Sequence, residues 1–94
     1  MKKRIWKYPL LINSYQVYKM PKGTEILSLQ MQDGKPCIWA LVSIPQNAKL
    51  ETEFRYFRTL GTGQQLDDHF TGPYKFIGTY QDDPFVWHVF ETKD

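Results

Sequence analysis

The residues whose types best suit ligand binding form one polar loop, Gly61 to Gln65, with the sequence Gly-Thr-Gly-Gln-Gln. Two glycines one residue apart allow backbone N–H groups to converge on an anion, and Thr62, Gln64 and Gln65 add neutral donors. The loop lacks the Lys-Ser/Thr ending of a P-loop and the third glycine of a dinucleotide fingerprint. The pattern therefore fits either a ligand-contacting loop or a strand-to-strand turn that requires a positive φ.

Other residues capable of chemistry lie at spacings that favour structural roles. Asp67, Asp68 and His69 are consecutive, a pattern more typical of a helix-start cap or a solvated turn than of a metal site. His88 alternates with apolar neighbours and is expected to be a hydrogen-bonded strand histidine. A single cysteine, Cys37, excludes an internal disulfide. We therefore predict no catalytic residue, no metal and no cofactor.

The chain is rich in aromatic residues, with three Trp, six Tyr and six Phe in 94 residues. Tryptophans beside cations can stack on a base while the cation pairs with phosphate, and the same residue types anchor protein interfaces. The predicted ligand-binding set combines these residues with the polar loop: Gly61, Thr62, Gly63, Gln64, Gln65, Arg58, Trp39, Trp6 and Lys7.

Charge is unevenly distributed along the sequence. Residues 1–50 hold eight Lys/Arg against two acidic residues, giving +6, whereas residues 51–94 hold four against eight, giving −4. The basic half could attract phosphates, or the two halves could attract each other within or between chains. The acidic half argues against a nucleic-acid partner. No apolar run approaches the ~18 residues of a membrane span, and no signal-peptide core follows the basic start, so we expect a cytoplasmic protein.

The elements that position these residues are predicted from one strong hairpin signal. Asp33-Gly34 separates two apolar-rich runs, Glu25–Gln32 and Lys35–Ile44, and both turn residues can adopt the positive φ of a type I′ turn. In the resulting register Leu29 faces Ile38. Leu27 is expected to face Ala40, and the core face is predicted from the alternation of side chains: Met31, Leu29, Leu27, Ile38, Ala40 and Val42.

The remaining runs predict further short strands. We expect strands over 4–12, ended or confined to an edge by Pro9, and over 15–20, 74–80 and 85–92. Residues 49–60 fit either helical spacing or alternation, and their aromatic and Thr content favours a strand. Gly78 suggests a bulge or a close backbone contact. The sequence thus predicts a single all-β domain over 1–94, an antiparallel sandwich or small barrel of six to seven strands with at most one short helical turn.

Several segments together resemble a family of short bacteriophage-encoded proteins of uncharacterised function: IWKYPL, MPKGTEILSLQMQDGKPCIWALV, GTGQQLDD and FVWHVFE. The chain has Gln64 where the family loop has a histidine. The resemblance implies a phage origin and carries no established activity or site.

Short phage proteins of this size often interfere with host defence. We therefore expect a non-catalytic anti-defence protein in the host cytoplasm that sequesters a small anionic or nucleotide ligand as a homo-oligomer. The alternative is an inhibitor that binds a host protein through an aromatic patch and an exposed strand edge.

Overall fold

The computed structural model describes residues 1–12, 14–68 and 70–94 and places seven antiparallel strands in two sheets. The three-stranded sheet has the order β1 (Lys2–Pro9), β4 (Lys35–Ile44), β3 (Glu25–Gln32). The four-stranded sheet has the order β2 (Tyr15–Pro21), β5 (Thr52–Gly61), β7 (Phe85–Thr92), β6 (Tyr74–Asp82). No helix occurs in these three ranges. The all-β prediction is confirmed, and of its two forms the sandwich rather than the closed barrel is adopted.

The β3–β4 hairpin forms at the predicted turn. Asp33 and Gly34 have φ values of 51° and 77°, as a type I′ turn requires, and Leu29 faces Ile38 as expected. The prediction for Leu27 is wrong because a bulge lies between Ile26 and Ser28. The extra residue brings Ile26, not Leu27, opposite Ala40, so Leu27 is exposed.

Met31 was also predicted to be a core residue and is exposed instead. It lies one residue from the end of β3, opposite Pro36, near the tip of the hairpin. The alternation of side chains assigns Met31 to the inner face correctly, but the buried cluster does not extend to that end of the strand.

Both sheets contribute side chains to one core. Ile38 of β4 meets Met20 of β2, Phe57 of β5 and Val89 of β7, all of which are fully buried. Tyr18 of β2 lies at the edge of this cluster, and its ring packs edge-on against Phe57 with centroids 5.9 Å apart. Because side chains alternate along each strand, the residues next to these core positions lie on the outer faces of the two sheets.

The ambiguous segment 49–60 contains strand β5, as its aromatic and Thr content favours. Strand β7 lies between β5 and β6, so both of its edges are paired; Val89 points into the core, and Phe90 lies on the outer face of the sheet. Gly78 follows a register shift in β6, and a Cβ there would lie 3.0 Å from the Cβ of Leu29 in the opposite sheet. The structure therefore shows both a bulge in β6 and a close contact at Gly78, the two features that the glycine suggested.

A partly buried ionic network closes one end of the sandwich. Arg55 of β5 pairs with Glu91 of β7, and its Nη1 lies 3.2 Å from Glu53 Oε2. The same Nη1 donates to the carbonyl of Thr24 at 2.7 Å, which attaches the β2–β3 turn to the four-stranded sheet. The hydrogen bond to Glu91 raises the pKa of Arg55, so the guanidinium stays charged.

Strand β1 is an edge strand that ends at Pro9, as the proline indicated, but the predicted range 4–12 is wrong at both ends because the strand begins at Lys2 and residues 10–12 lie outside it. It pairs only with β4, and four of its eight residues are basic: Lys2, Lys3, Arg4 and Lys7. Over the ranges that the structure describes, no helix is long and apolar enough to cross a membrane.

Candidate functional site

The polar loop 61–65 is a closed turn at the end of β5. Gln64 N donates to Gly61 O at 3.0 Å, and Gly63 supplies the positive φ of 84°. Gly61 N donates to the Gln64 side chain at 2.9 Å, and Thr62 N donates to Val86 O at 3.1 Å. Three of the amides that an anion would need are therefore already paired within the protein.

The same loop forms one wall of a small cavity. This cavity measures about 140 Å³ and is lined by Ile12, Ser14, Thr59, Gln64 and Trp87. Within the described ranges, Thr59 Oγ1 and Trp87 Nε1 are buried and have no hydrogen-bond partner. Ligand pockets usually occupy roughly 300–1,000 Å³, so this space fits a few water-sized groups and is too small for a nucleotide.

His88 is hydrogen-bonded on strand β7, as its position in the alternating pattern predicts. Its Nε2 lies 2.7 Å from Thr62 Oγ1, and its Nδ1 lies 3.0 Å from Thr79 Oγ1. Because threonine hydroxyls occupy both ring nitrogens, the imidazole is held in place between β6 and the loop after β5. The predicted Asp67–His69 cluster falls partly on His69, which lies outside the described residues. The described residues contain no group of three or more potential ligands for a metal ion.

The largest unusual feature is the outer face of the four-stranded sheet. Two rows of paired residues cross all four strands on this face: Tyr15–Arg58–Phe90–Phe76 and Val17–Tyr56–Thr92–Tyr74. Phe54 extends the face along β5, and we call these nine residues the aromatic face. Four of its rings are substantially exposed, with solvent-accessible fractions of 60% for Phe54, 54% for Phe76, 53% for Tyr74 and 41% for Tyr15.

Ring contacts hold the aromatic face together. On the β6–β7 side, Phe90 lies between Phe76, Tyr74 and Phe70, with ring centroids 5.4 to 5.6 Å away. On the β2–β5 side, Tyr15 stacks on Tyr56, and the Arg58 guanidinium lies 4.7 Å from the Tyr15 centroid. All rings of the face except Phe54 are thus packed against a neighbouring ring, and a surface held in this way loses less side-chain entropy on binding.

The structure separates the predicted ligand-binding residues onto opposite sides of the sandwich. Lys7 and Trp39 are register partners on the outer face of the three-stranded sheet, and Lys7 Nζ donates to Gln32 at 2.8 Å. Trp6 points to the other side of β1, opposite Ala40. Arg58 lies on the outer face of the four-stranded sheet, and the loop 61–65 follows at the end of that strand.

Within one chain, Lys7 and Trp39 therefore come together, and Arg58 lies on the strand that leads into the loop. The two groups do not meet, because the sandwich lies between them. Gln65 is exposed beside the cavity wall formed by Gln64.

Sequence reasoning missed two features. The aromatic face could have been found from the alternation of Phe54, Tyr56 and Arg58 along β5 and from the apolar residues on the outer face of β7. The second feature is a surface depression of about 640 Å³ that contains Lys22 and Lys49. No sequence pattern indicates it, because Lys22 lies in the β2–β3 turn and Lys49 in the β4–β5 connection. An adjoining depression of about 630 Å³ shares both lysines and adds Lys19.

Comparison with known proteins identifies a family whose activity is not characterised. No curated protein and no solved structure matches the chain. A family model described as a domain of unknown function, DUF7352, matches residues 1–94. The resemblance to an uncharacterised family is thereby supported, and the chain belongs to the DUF7352 family.

Proposed function

We propose that this chain is a non-catalytic binding protein that contacts another protein through the aromatic face. In this proposal it is a phage accessory protein that acts against host defence in the host cytoplasm, the setting that the resemblance to short phage proteins implies. Binding a partner and blocking its action requires a surface rather than a reactive group, and the aromatic face is the broadest such surface described.

The observation that carries the proposal is the exposure of the aromatic face. An aromatic side chain presents on the order of 200 Å², so Phe54, Phe76, Tyr74 and Tyr15 together leave about 400 Å² of ring surface in contact with solvent. Apolar patches of that size on a monomer are often interaction sites. Rigid, clustered rings flanked by an arginine also match the residue types that dominate the energetics of protein interfaces.

A photo-crosslinking experiment in cells tests this proposal. A photoreactive phenylalanine analogue is placed at Phe54 or Phe76, and at Phe85 as the matched control. Phe85 is 57% exposed but lies on the other side of the four-stranded sheet, so it matches the test positions in exposure and not in location.

We expect light-dependent protein adducts from positions 54 and 76 and none from position 85. The adduct masses then identify what covers the aromatic face. No adduct at positions 54 and 76 would show that the face contacts no protein, and equal labelling at all three positions would show that labelling is not specific to the face. Either result would refute the proposed function.

The second candidate function is capture of a small anionic or nucleotide ligand by a homo-oligomer. It is favoured by the depression at Lys22 and Lys49, which also contains Glu51 and whose volume of about 640 Å³ suits a nucleotide-sized ligand. A homo-oligomer would also be needed to bring Trp39 and Lys7 of one copy beside the loop 61–65 of another.

Thermal unfolding with a panel of cyclic and linear nucleotides tests this candidate, since a ligand that binds only the folded state raises the melting temperature. A Lys22→Glu/Lys49→Glu variant should lose the shift, and a Lys35→Glu variant, altered near the Asp33-Gly34 turn, should keep it. No shift with any nucleotide would reject the candidate.

A further inference from the structure

We infer that the aromatic face is occupied by a second copy of this chain, packed face to face across a two-fold axis that runs along the boundary between β5 and β7. This inference rests on the proposed function, because it takes the same surface as a protein-binding surface and names a second copy as the protein that covers it; a host protein would then contact the dimer outside the aromatic face. It adds a third and fourth β layer to the sandwich and places the two four-stranded sheets at the centre of the assembly.

The available area suits a symmetric dimer. The four most exposed rings leave about 400 Å² in contact with solvent. The half-buried members of the face, Tyr56, Arg58 and Phe90, add to it. The total is on the order of 600 Å² per copy, which corresponds to the lower limit of about 1,200 Å² that a specific protein interface buries in all. The chain measures 48 × 32 × 16 Å, so its broad faces can meet over this area.

The two halves of the aromatic face complement each other. The β2–β5 half carries a cation, Arg58, and the β6–β7 half carries the ring cluster around Phe90. A two-fold axis between β5 and β7 places each half opposite the other half of the second copy. Each Arg58 then lies against the partner's rings, a cation–π contact, and the two arginines are kept apart.

The charge of the face also favours this occupant. Its nine defining residues include no carboxylate, and Arg58 is their single charge. An interface in which the cation meets rings therefore buries no unpaired acidic group. The short chain also has a small core, so covering the face would add the apolar burial that a domain of this size lacks.

Sedimentation velocity over a range of protein concentrations tests the inference with four forms of the full chain. These are the wild type, Phe76→Ser, Arg58→Gln and the control Phe85→Ser. Each Phe76 side chain is 54% exposed, and a two-fold dimer loses two of them, so Phe76→Ser should raise the dimer dissociation constant by at least ~100-fold. Arg58→Gln should raise it by about 3- to 10-fold, and Phe85→Ser should leave it unchanged.

Several outcomes overturn the inference. One is a wild-type chain that remains monomeric at ~100 μM, a concentration at which a standard interface would be occupied. Another is a dimer that Phe76→Ser leaves intact or that Phe85→Ser disrupts equally. A dimer insensitive to Arg58→Gln would reject the two-fold arrangement argued above. Circular dichroism of each variant confirms that the monomer is folded.

The same measurements separate this inference from the proposed function. A monomeric wild type whose positions 54 and 76 still crosslink to a different protein refutes the second copy as the occupant and leaves the proposed function standing. A monomer that forms no adduct at those positions refutes both.

Discussion

The hydroxyl groups of Tyr18 and Tyr80 lie in contrasting environments, so we expect their removal to change the folding stability in opposite directions. The Tyr18 hydroxyl lies 2.6 Å from the carbonyl of Pro9 and 2.8 Å from Gln16 Oε1. The Tyr80 hydroxyl is buried and has no hydrogen-bond partner among residues 1–12, 14–68 and 70–94. Replacing each tyrosine by phenylalanine removes the hydroxyl and leaves the ring in place.

The expected magnitudes follow from these environments. Tyr18→Phe removes a donor from the Pro9 carbonyl and should lower the free energy of unfolding by about 1–2 kcal/mol. Tyr80→Phe removes a hydroxyl whose burial without a partner costs about 1–3 kcal/mol, so it should leave stability unchanged or raise it by about 1 kcal/mol. For a domain of this length, 1 kcal/mol corresponds to a shift of about 4–8 °C in Tm.

Urea unfolding followed by tryptophan fluorescence measures both effects at one protein concentration. Tyr15→Phe is the control, because Tyr15 is 41% exposed, so its hydroxyl can bind water in the folded and unfolded states alike. The reasoning fails if Tyr80→Phe destabilises the protein by more than about 1 kcal/mol, since that loss would require a hydrogen bond that the environment of Tyr80 does not provide.

Three further predictions concern the ionic network, the inter-sheet contact and tyrosine ionisation. Arg55→Met leaves Glu91 and Glu53 without their cation and should cost about 2–4 kcal/mol in urea unfolding at pH 7. The same substitution should cost less in a Glu91→Gln background, and an equal cost in both backgrounds would contradict the ionic explanation. Gly78→Ala places a methyl group 3.0 Å from Leu29 and should lower the free energy of unfolding by about 1–3 kcal/mol. Gly72→Ala is the control and should lower it less, because the nearest atom to its methyl group would be 3.9 Å away. Equal losses in the two variants would reject the close-contact argument. Burial raises the pKa of Tyr8, Tyr18 and Tyr80, so the folded state holds these protons more tightly than the unfolded state. The free energy of unfolding should therefore be at its full value below pH ~10 and fall as the pH rises further, less steeply in Tyr80→Phe. Unchanged stability in urea unfolding between pH ~9 and ~11 would rule this out.

The sequence was sufficient for the features that depend on local chemistry. Asp33-Gly34 specified the hairpin turn, Pro9 ended the edge strand, and the alternating pattern of 85–92 identified strand β7. Each of these follows from the conformational preferences of one or two residues or from a period of two.

The features that depend on distant parts of the chain were not predictable in the same way. The bulge at Leu27 changed the core register because packing against the opposite sheet, not the hairpin turn, selects Ile26. The predicted ligand residues were chosen by type, and no pattern in one sequence reveals that Trp39 and Arg58 lie on opposite outer faces. The lysines of the depression at 22 and 49 come together through a turn and a loop that alternation does not describe.

The basic edge strand β1 has a consequence for how this protein avoids edge-to-edge association. Its free backbone groups could template another strand, but four positive charges repel an identical edge on a neighbouring molecule. That repulsion acts over about 10 Å at 0.1 M salt and only about 3 Å at 1 M salt. Concentrated salt, or acetylation of Lys2, Lys3 and Lys7, should therefore allow the β1 edges of two molecules to pair side by side, which light scattering would detect as a salt-dependent increase in mass.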